Sequence, residues 1–229
     1  MNYLPAIEIE PEQNANAAVI WLHGLGASGD DFAAVVPALG LSDHSDLNIR
    51  FIFPHAPVIP IGVNGGMSMP AWYDILSMDV ERKINQQQFM QSAKQVKDLI
   101  KRELDRGISS EHIVIAGFSQ GGAVAYEAAL NFDLPLAGLM ALSTYVASPS
   151  TLALKPCNAE LPVMIYHGTE DDVVPESLGI LARDKLHAMG LEPEYKTYAM
   201  AHSVSPGQIK HMSSFLKRVL SGSGTKIRN

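Results

Sequence analysis

The sequence predicts an α/β domain with a mostly parallel central sheet and helices on both of its faces. Two observations carry that expectation: short β-branched or aromatic runs that are apolar on both faces, and amphipathic helical patterns spaced between them. Their alternation is the pattern of parallel strands joined by crossover helices. A third observation concerns size. A chain of 229 residues, 47% hydrophobic and 18% charged, is large enough to bury a substantial core without staples.

The strands are expected at Ala18-Val19-Ile20-Trp21-Leu22, Ile49-Arg50-Phe51-Ile52-Phe53, Ile113-Val114-Ile115-Ala116, residues 136–142, residues 162–166 and residues 194–198. Phe32, Val35, Val36 and Leu39 suggest a helix that starts near Gly29-Asp30 and stops at Gly40. Phe89, Val96, Ile100 and Leu104 line one face of a longer helix ending at Gly107, and a helical run spans residues 123–130. Leu178, Leu181, Leu186 and Met189 stripe another, opened by Pro175 and closed by Gly190. The last helix opens on Ser205-Pro206-Gly207-Gln208, a capping box with proline at the first helical position. No repeat or long linker divides the chain, so residues 1–220 read as one domain, with 221–229 a flexible Gly/Ser tail.

A formal net charge of −7 argues against nucleic acid and against anionic membrane surfaces, whose phosphates it would repel. Residues 1–13 lack the basic flank and apolar run of a signal peptide, and no stretch reaches the ~20 apolar residues of a membrane span. A cytoplasmic protein without stable membrane insertion is expected. The single cysteine, Cys157, lies in a loop-like stretch as an inert thiol, and no intramolecular disulfide can form.

Chemistry concentrates at Gly117-Phe118-Ser119-Gln120-Gly121-Gly122, between a buried strand and a helical run. Glycines two before and two after a serine permit a tight, strained bend that lifts the hydroxyl above the sheet edge. The adjacent helix N-terminus favours negative charge there. A serine nucleophile needs a base, and four of the eight histidines follow Ser119. His167 closes a strand, while His187 and His211 fall inside helical patterns, where a packed or solvated histidine is the ordinary case. His202 lies in a loop at a strand's C-terminal end, where α/β sheets place their sites, and is the preferred base. The acid should follow the strand 162–166, where Glu170, Asp171 and Asp172 compete and spacing does not separate them. Oxyanion donors are expected from the backbone of Gln120 and from the loop His23-Gly24-Leu25-Gly26. His23, His55 and His167 lie near strand ends but show no metal-ligand spacing, so neither metal nor cofactor is expected.

Residues 58–78 mix Val58, Ile59, Ile61, Met67, Met69, Trp72, Tyr73, Leu76 and Met78 with glycines and prolines. The stretch looks too irregular for a helix and too long for an ordinary connection, which suggests a functional loop. Adaptable methionines suit varied acyl chains, so Met67, Met69 and Trp72 are the candidate substrate-binding residues.

Together, His23-Gly24-Leu25-Gly26, Phe53-Pro54-His55-Ala56-Pro57, Ala71-Trp72-Tyr73-Asp74, Gly117 to Gly122 and His167-Gly168-x-x-Asp171 through Val174-Pro175 resemble the carboxylesterase and acyl-protein thioesterase family. The resemblance runs from about residue 17 to residue 220. It implies the α/β-hydrolase fold without a separate cap domain, and Ser119, Asp171 and His202 as nucleophile, acid and base. It also implies Leu25 and Gln120 as oxyanion donors, and selects Asp171 among the carboxylates. One departure stands out: the family's glycine-rich loop often continues Asp-Thr-Gly, where this chain has Ala27-Ser28-Gly29. The expected activity is hydrolysis of short-to-medium acyl esters or thioesters through an acyl-serine. The alternative is a binding protein that keeps the hydrolase scaffold without turnover. Small esters, lysophospholipids and acylated proteins all remain open as substrates, as does homodimerisation.

Overall fold

The structure, a computed structural model, describes residues 3–41, 46–77 and 82–221. Met78 and the expected tail beyond residue 221 lie outside the described residues. In chain order the elements are β1 (Ala6–Ile9), β2 (Ala17–Leu22), α1 (Asp30–Ala33), β3 (Ile49–Pro54), β4 (Val58–Ile61) and β5 (Met67–Pro70). There follow α2 (Gln86–Asp105), β6 (Ile113–Phe118), α3 (Gln120–Leu130), β7 (Gly138–Leu142), β8 (Val163–Gly168), α4 (Glu176–Ala188), β9 (Glu194–Tyr198) and α5 (Pro206–Leu220). Seven strands form one sheet in the order β1-β3-β2-β6-β7-β8-β9. All its pairings are parallel except that of β1 with β3.

Alternation along β2 explains the layers. Ala18, Ile20 and Leu22 join one core with Val96, Leu99 and Ile100 of α2, Val124 and Tyr126 of α3, and Leu178 and Leu186 of α4. Val19 and Trp21 join the other core with Phe32 of α1 and Met212, Phe215 and Leu216 of α5. With both faces covered, β2 is buried at every residue, as its uninterrupted apolar run requires. Among the described residues there is no separate cap domain.

Strand order also locates the crevice. From β2 the chain builds β3 on one side, then crosses to β6 on the other. Where strand order reverses, the connections leave the sheet in opposite directions and open a cleft at the strands' C-terminal ends. Leu22 and Gly117 are register partners there, so the loops after β2 and β6 emerge side by side.

Two expectations need correction, and one strand was not foreseen. Residues 32–39 do not form one helix: α1 stops after Ala33, and Val36–Leu39 is a separate 3₁₀ turn holding Pro37 at its start. Residues 58–70 are not irregular; β4 and β5 pair as an antiparallel hairpin, with Val58 opposite Pro70 and Ile61 opposite Met67. A two-stranded ribbon leaves each strand an edge, which tolerates the prolines that obscured it. Strand β1 carries Glu8 where a core strand would carry an apolar residue. Its carboxylate meets Arg102 at 2.8 Å and Arg106 at 2.7 Å, while Glu10 meets Arg50 and Arg106. Fully buried Glu103 accepts from all three guanidiniums, from Arg50 at 2.7 Å, Arg102 at 3.0 Å and Arg106 at 3.1 Å. These charges fasten the edge strand to α2.

Candidate active site

Strand β6 ends at Phe118 and α3 begins at Gln120, so one residue must turn the chain from strand to helix. That residue is Ser119, at φ 53° and ψ −123°. Left-handed backbone at a non-glycine residue costs about 1–3 kcal/mol and persists only where its surroundings enforce it. Here the Ser119 N–H donates to the Leu142 carbonyl at 2.9 Å, and its own carbonyl accepts from Thr144 Oγ1 at 2.6 Å and from the Gly122 N–H at 3.0 Å. Gly121 permits the bend, because a Cβ there would stand 2.5 Å from the His23 carbonyl oxygen. The elbow therefore abuts the loop after β2, and at Gly24 a Cβ would lie 3.4 Å from Ser119 Cβ.

The candidate acid and base come from the loops after β8 and β9. The two loops are tied together where Thr169 N–H donates to the Tyr198 carbonyl and Glu170 N–H to that of Met200. Asp171 is buried, whereas Glu170 and Asp172 are exposed to water. Its Oδ1 accepts the backbone N–H groups of Val173 at 3.0 Å and Val174 at 2.8 Å, and its Oδ2 accepts His202 Nδ1 at 2.7 Å. Burial raises the Asp171 pKa, but the hydrogen bonds from His202 and Val174 outweigh it and hold the carboxyl below its ordinary value. A carboxylate at Nδ1 keeps the ring proton there and leaves Nε2 with a lone pair. The His202 ring lies 4.6 Å, centroid to centroid, from that of Phe118, which sets it beside the elbow. His187 is half exposed near Glu192, and exposed His211 bonds the Tyr198 hydroxyl, both away from this cluster.

The glycine-rich loop is braced from below. The indole N–H of Trp72 donates to the His23 carbonyl at 2.8 Å. His23 Nε2 accepts the Ala56 N–H at 3.1 Å, so its Nδ1–H donates to the Gly24 carbonyl at 2.7 Å. Burial pushes the His23 pKa down, in keeping with that neutral ring. Buried Gln120 accepts the Trp72 N–H at 2.9 Å with its side-chain oxygen and donates to the Tyr73 carbonyl at 2.7 Å. Trp72 is 1% exposed, so it offers no solvent-facing groove wall; its place is under the loop. Met67 is 65% exposed on the hairpin, and Met69 Sδ would lie 3.7 Å from a Cβ at Gly26. Where the chain departs from Asp-Thr-Gly, Ser28 Oγ donates to Asp30, and Gly29 N–H donates to His55 Nδ1 at 3.2 Å.

Sequence reasoning missed a cavity of about 710 Å³ between the 145–150 loop and α4, walled in part by Tyr145, Val146, Leu178 and Leu181. Thr144, which holds the Ser119 carbonyl, precedes Tyr145 in that wall. No spacing signal joins residues so far apart. Among the described residues, no group of three or more His, Cys, Asp or Glu could hold a metal ion. Nor, among them, is any helix long and apolar enough to cross a membrane.

Fold and site together define a serine hydrolase of the α/β-hydrolase class. Residues 4–220 match the model of the Phospholipase/Carboxylesterase family, and the chain belongs to that family. It is 40% identical over 214 residues to acyl-protein thioesterase 1 of Gibberella zeae, covering 89% of this chain and 91% of that one. It is 36% identical over 225 residues to acyl-protein thioesterase 1 of Saccharomyces cerevisiae, covering 94% and 97%. Among solved structures, Arabidopsis thaliana SOBER1 superimposes with a TM-score of 0.79 at 31% identity, over 90% of this chain and 100% of that one.

Proposed function

We propose that the protein hydrolyses short-to-medium carboxylic esters and thioesters through an acyl-Ser119 intermediate. The observation that carries this reading is the strained Ser119, set beside a His202 whose Nδ1 is bound to buried Asp171. Ser119 Oγ attacks the acyl carbonyl while His202 Nε2 takes its proton, and Asp171 stabilises the imidazolium. The oxyanion is received by the N–H of Gln120, which as the first residue of α3 has no intrahelical acceptor, and by that of Leu25 in the adjoining loop. Collapse expels the alcohol or thiol with the proton from His202. Water then attacks the acyl-enzyme by the same route and releases the acid.

The cavity beside Tyr145, with Leu178 and Leu181 in its wall, suits an acyl chain, and the hairpin methionines Met67 and Met69 offer a second apolar surface. Trp72 would contribute indirectly, by supporting the Leu25 loop. The relatives' names include acylated proteins among the substrates to be tested, beside small esters and lysophospholipids. The test is labelling by a fluorophosphonate, which esterifies an activated serine, combined with p-nitrophenyl ester turnover. Ser119→Ala should abolish labelling and leave only the roughly 10³-fold enhancement over water that an oxyanion hole supplies alone. A folded Ser119→Ala protein that keeps more than about a tenth of wild-type turnover would refute the proposal.

A further inference from the structure

Asp171 is held by more than the two backbone amides and His202. His167, the penultimate residue of β8, is completely buried, and its Nε2 lies 2.7 Å from the Val174 carbonyl oxygen. A carbonyl cannot donate, so the proton of the neutral ring sits on Nε2. That same Nε2 lies 3.6 Å from Asp171 Oδ2, the oxygen bound by His202. The separation is too long for a hydrogen bond, yet it places the donating Nε2 within electrostatic reach of the carboxylate. Val174 is thus gripped at both ends: its N–H donates to Asp171 Oδ1 at 2.8 Å, and its carbonyl receives His167. The opposite ring nitrogen, Nδ1, is buried with no partner among the described residues, and α4 leaves room for it only because residue 179 is glycine. A Cβ at Gly179 would lie 2.5 Å from Nδ1. Leaving a buried acceptor unpaired is unfavourable, so packing alone would favour an apolar residue at this position.

We propose that His167 is a positioning residue for the triad acid, holding Asp171 through the Val174 peptide and setting its N–H dipole beside the carboxylate. The inference rests on the triad reading of Ser119, Asp171 and His202. Burial pushes the His167 pKa down; the charged or titratable groups facing it are Asp171, Glu176 of α4 and His202. It therefore serves as a neutral dipole whose single proton is already committed. With that dipole removed, the Asp171 turn loses its brace, and the carboxylate supports the His202 cation less well.

The test compares kcat, KM, pH profile and melting temperature for His167→Leu, His167→Gln and His167→Asn, with p-nitrophenyl butyrate as substrate. His167→Leu should lower kcat by about 10- to 100-fold, the range found for residues that orient a functional ligand, with KM changed less than about twofold. The acidic limb of its kcat/KM profile should move to lower pH, because a loosened carboxylate favours the imidazolium less. His167→Gln should recover activity to within about fivefold, since its amide N–H occupies the Nε2 position and can donate to Val174; asparagine is too short to do so. In an Asp171→Asn background, His167→Leu should cost less than about twofold, because the route to the reaction is already cut. An equal loss in both backgrounds, or wild-type kcat in His167→Leu, would overturn the inference. Should the leucine variant fail to fold, equal activity of the glutamine and asparagine variants would overturn it instead. Failure of the triad reading itself shows separately, as wild-type turnover by Asp171→Asn alone.

Discussion

The Gln120 backbone is proposed as an oxyanion donor, yet its side chain does different work, and Gln120→Met separates the two. Methionine matches glutamine in length and leaves the N–H at the head of α3 in place, but it can neither accept from Trp72 N–H nor donate to the Tyr73 carbonyl. Both backbone groups flank buried residues, and Gln120 itself is 2% exposed, so water has little access. Each abandoned group is destabilising by ~1–3 kcal/mol, which sums to about 2–6 kcal/mol for the pair. In a chain of this size that corresponds to a melting temperature lower by roughly 4–24 °C. Urea denaturation and calorimetry measure the loss, and kcat/KM well below the transition measures the chemistry. Turnover should stay within about tenfold of wild type, because losing an oxyanion donor outright costs roughly 10²–10³. A stability change below about 1 kcal/mol would show that the side chain does not carry the 72–73 segment. A loss of kcat beyond about 10²-fold in the folded variant would show that the side chain, and not the amide alone, sets the oxyanion geometry.

Other consequences are checked by simpler measurements. Asp171→Asn should lower kcat by about 10⁴, whereas Asp172→Asn and Glu170→Gln, both exposed, should stay within about threefold; an equal loss at Asp172 would displace Asp171 as the acid. Glu194 is raised by burial, but hydrogen bonds from Lys196, Tyr166 and Arg218 prevail and bring its pKa to about 2. With its folded value depressed from 4.5, its contribution to stability is complete above that pH and is lost as pH falls toward 2. Glu194→Gln should therefore destabilise the protein at neutral pH and flatten the stability curve across that window, as urea melts at stepped pH would reveal. For p-nitrophenyl esters of increasing length, kcat/KM should climb by at most about fourfold per carbon, from ~0.8 kcal/mol of burial per methylene, and then fall. Leu178→Ala should flatten the rise if the cavity beside Tyr145 holds the chain, and a Met67→Ser/Met69→Ser double variant should flatten it if the hairpin does. A steady decline from acetyl onward would remove the acyl-binding reading from both.

What the sequence determined by itself was the part governed by local physics. Buried runs such as 18–22 and 113–116 declare parallel strands because both faces must be apolar, and Ser205-Pro206-Gly207-Gln208 declares a helix start because its end groups need capping. The glycines around Ser119 mark a bend that larger residues would obstruct, so the elbow is legible from a handful of neighbouring letters. Of the edge elements, β9 was legible, but β1 and the β4–β5 hairpin were not. Strand β1 is half-buried, and only the arginines from β3 and α2 explain why Glu8 within it and Glu10 just after it sit at a sheet edge. The hairpin's prolines are tolerated because, among the described residues, its two strands pair only with each other. Tertiary structure alone could give Trp72 its place under the Gly24 loop, because hydrophobicity suits an acyl groove and a buried prop equally well. It alone could distinguish Asp171 from Glu170 and Asp172 on physical grounds. Three adjacent carboxylates are chemically equivalent in sequence; burial, the amides of Val173 and Val174, and the two histidines that converge on one of them make it different. Those partners lie up to 31 residues away along the chain, and spacing along a sequence carries no record of which distant groups a fold will bring to one oxygen.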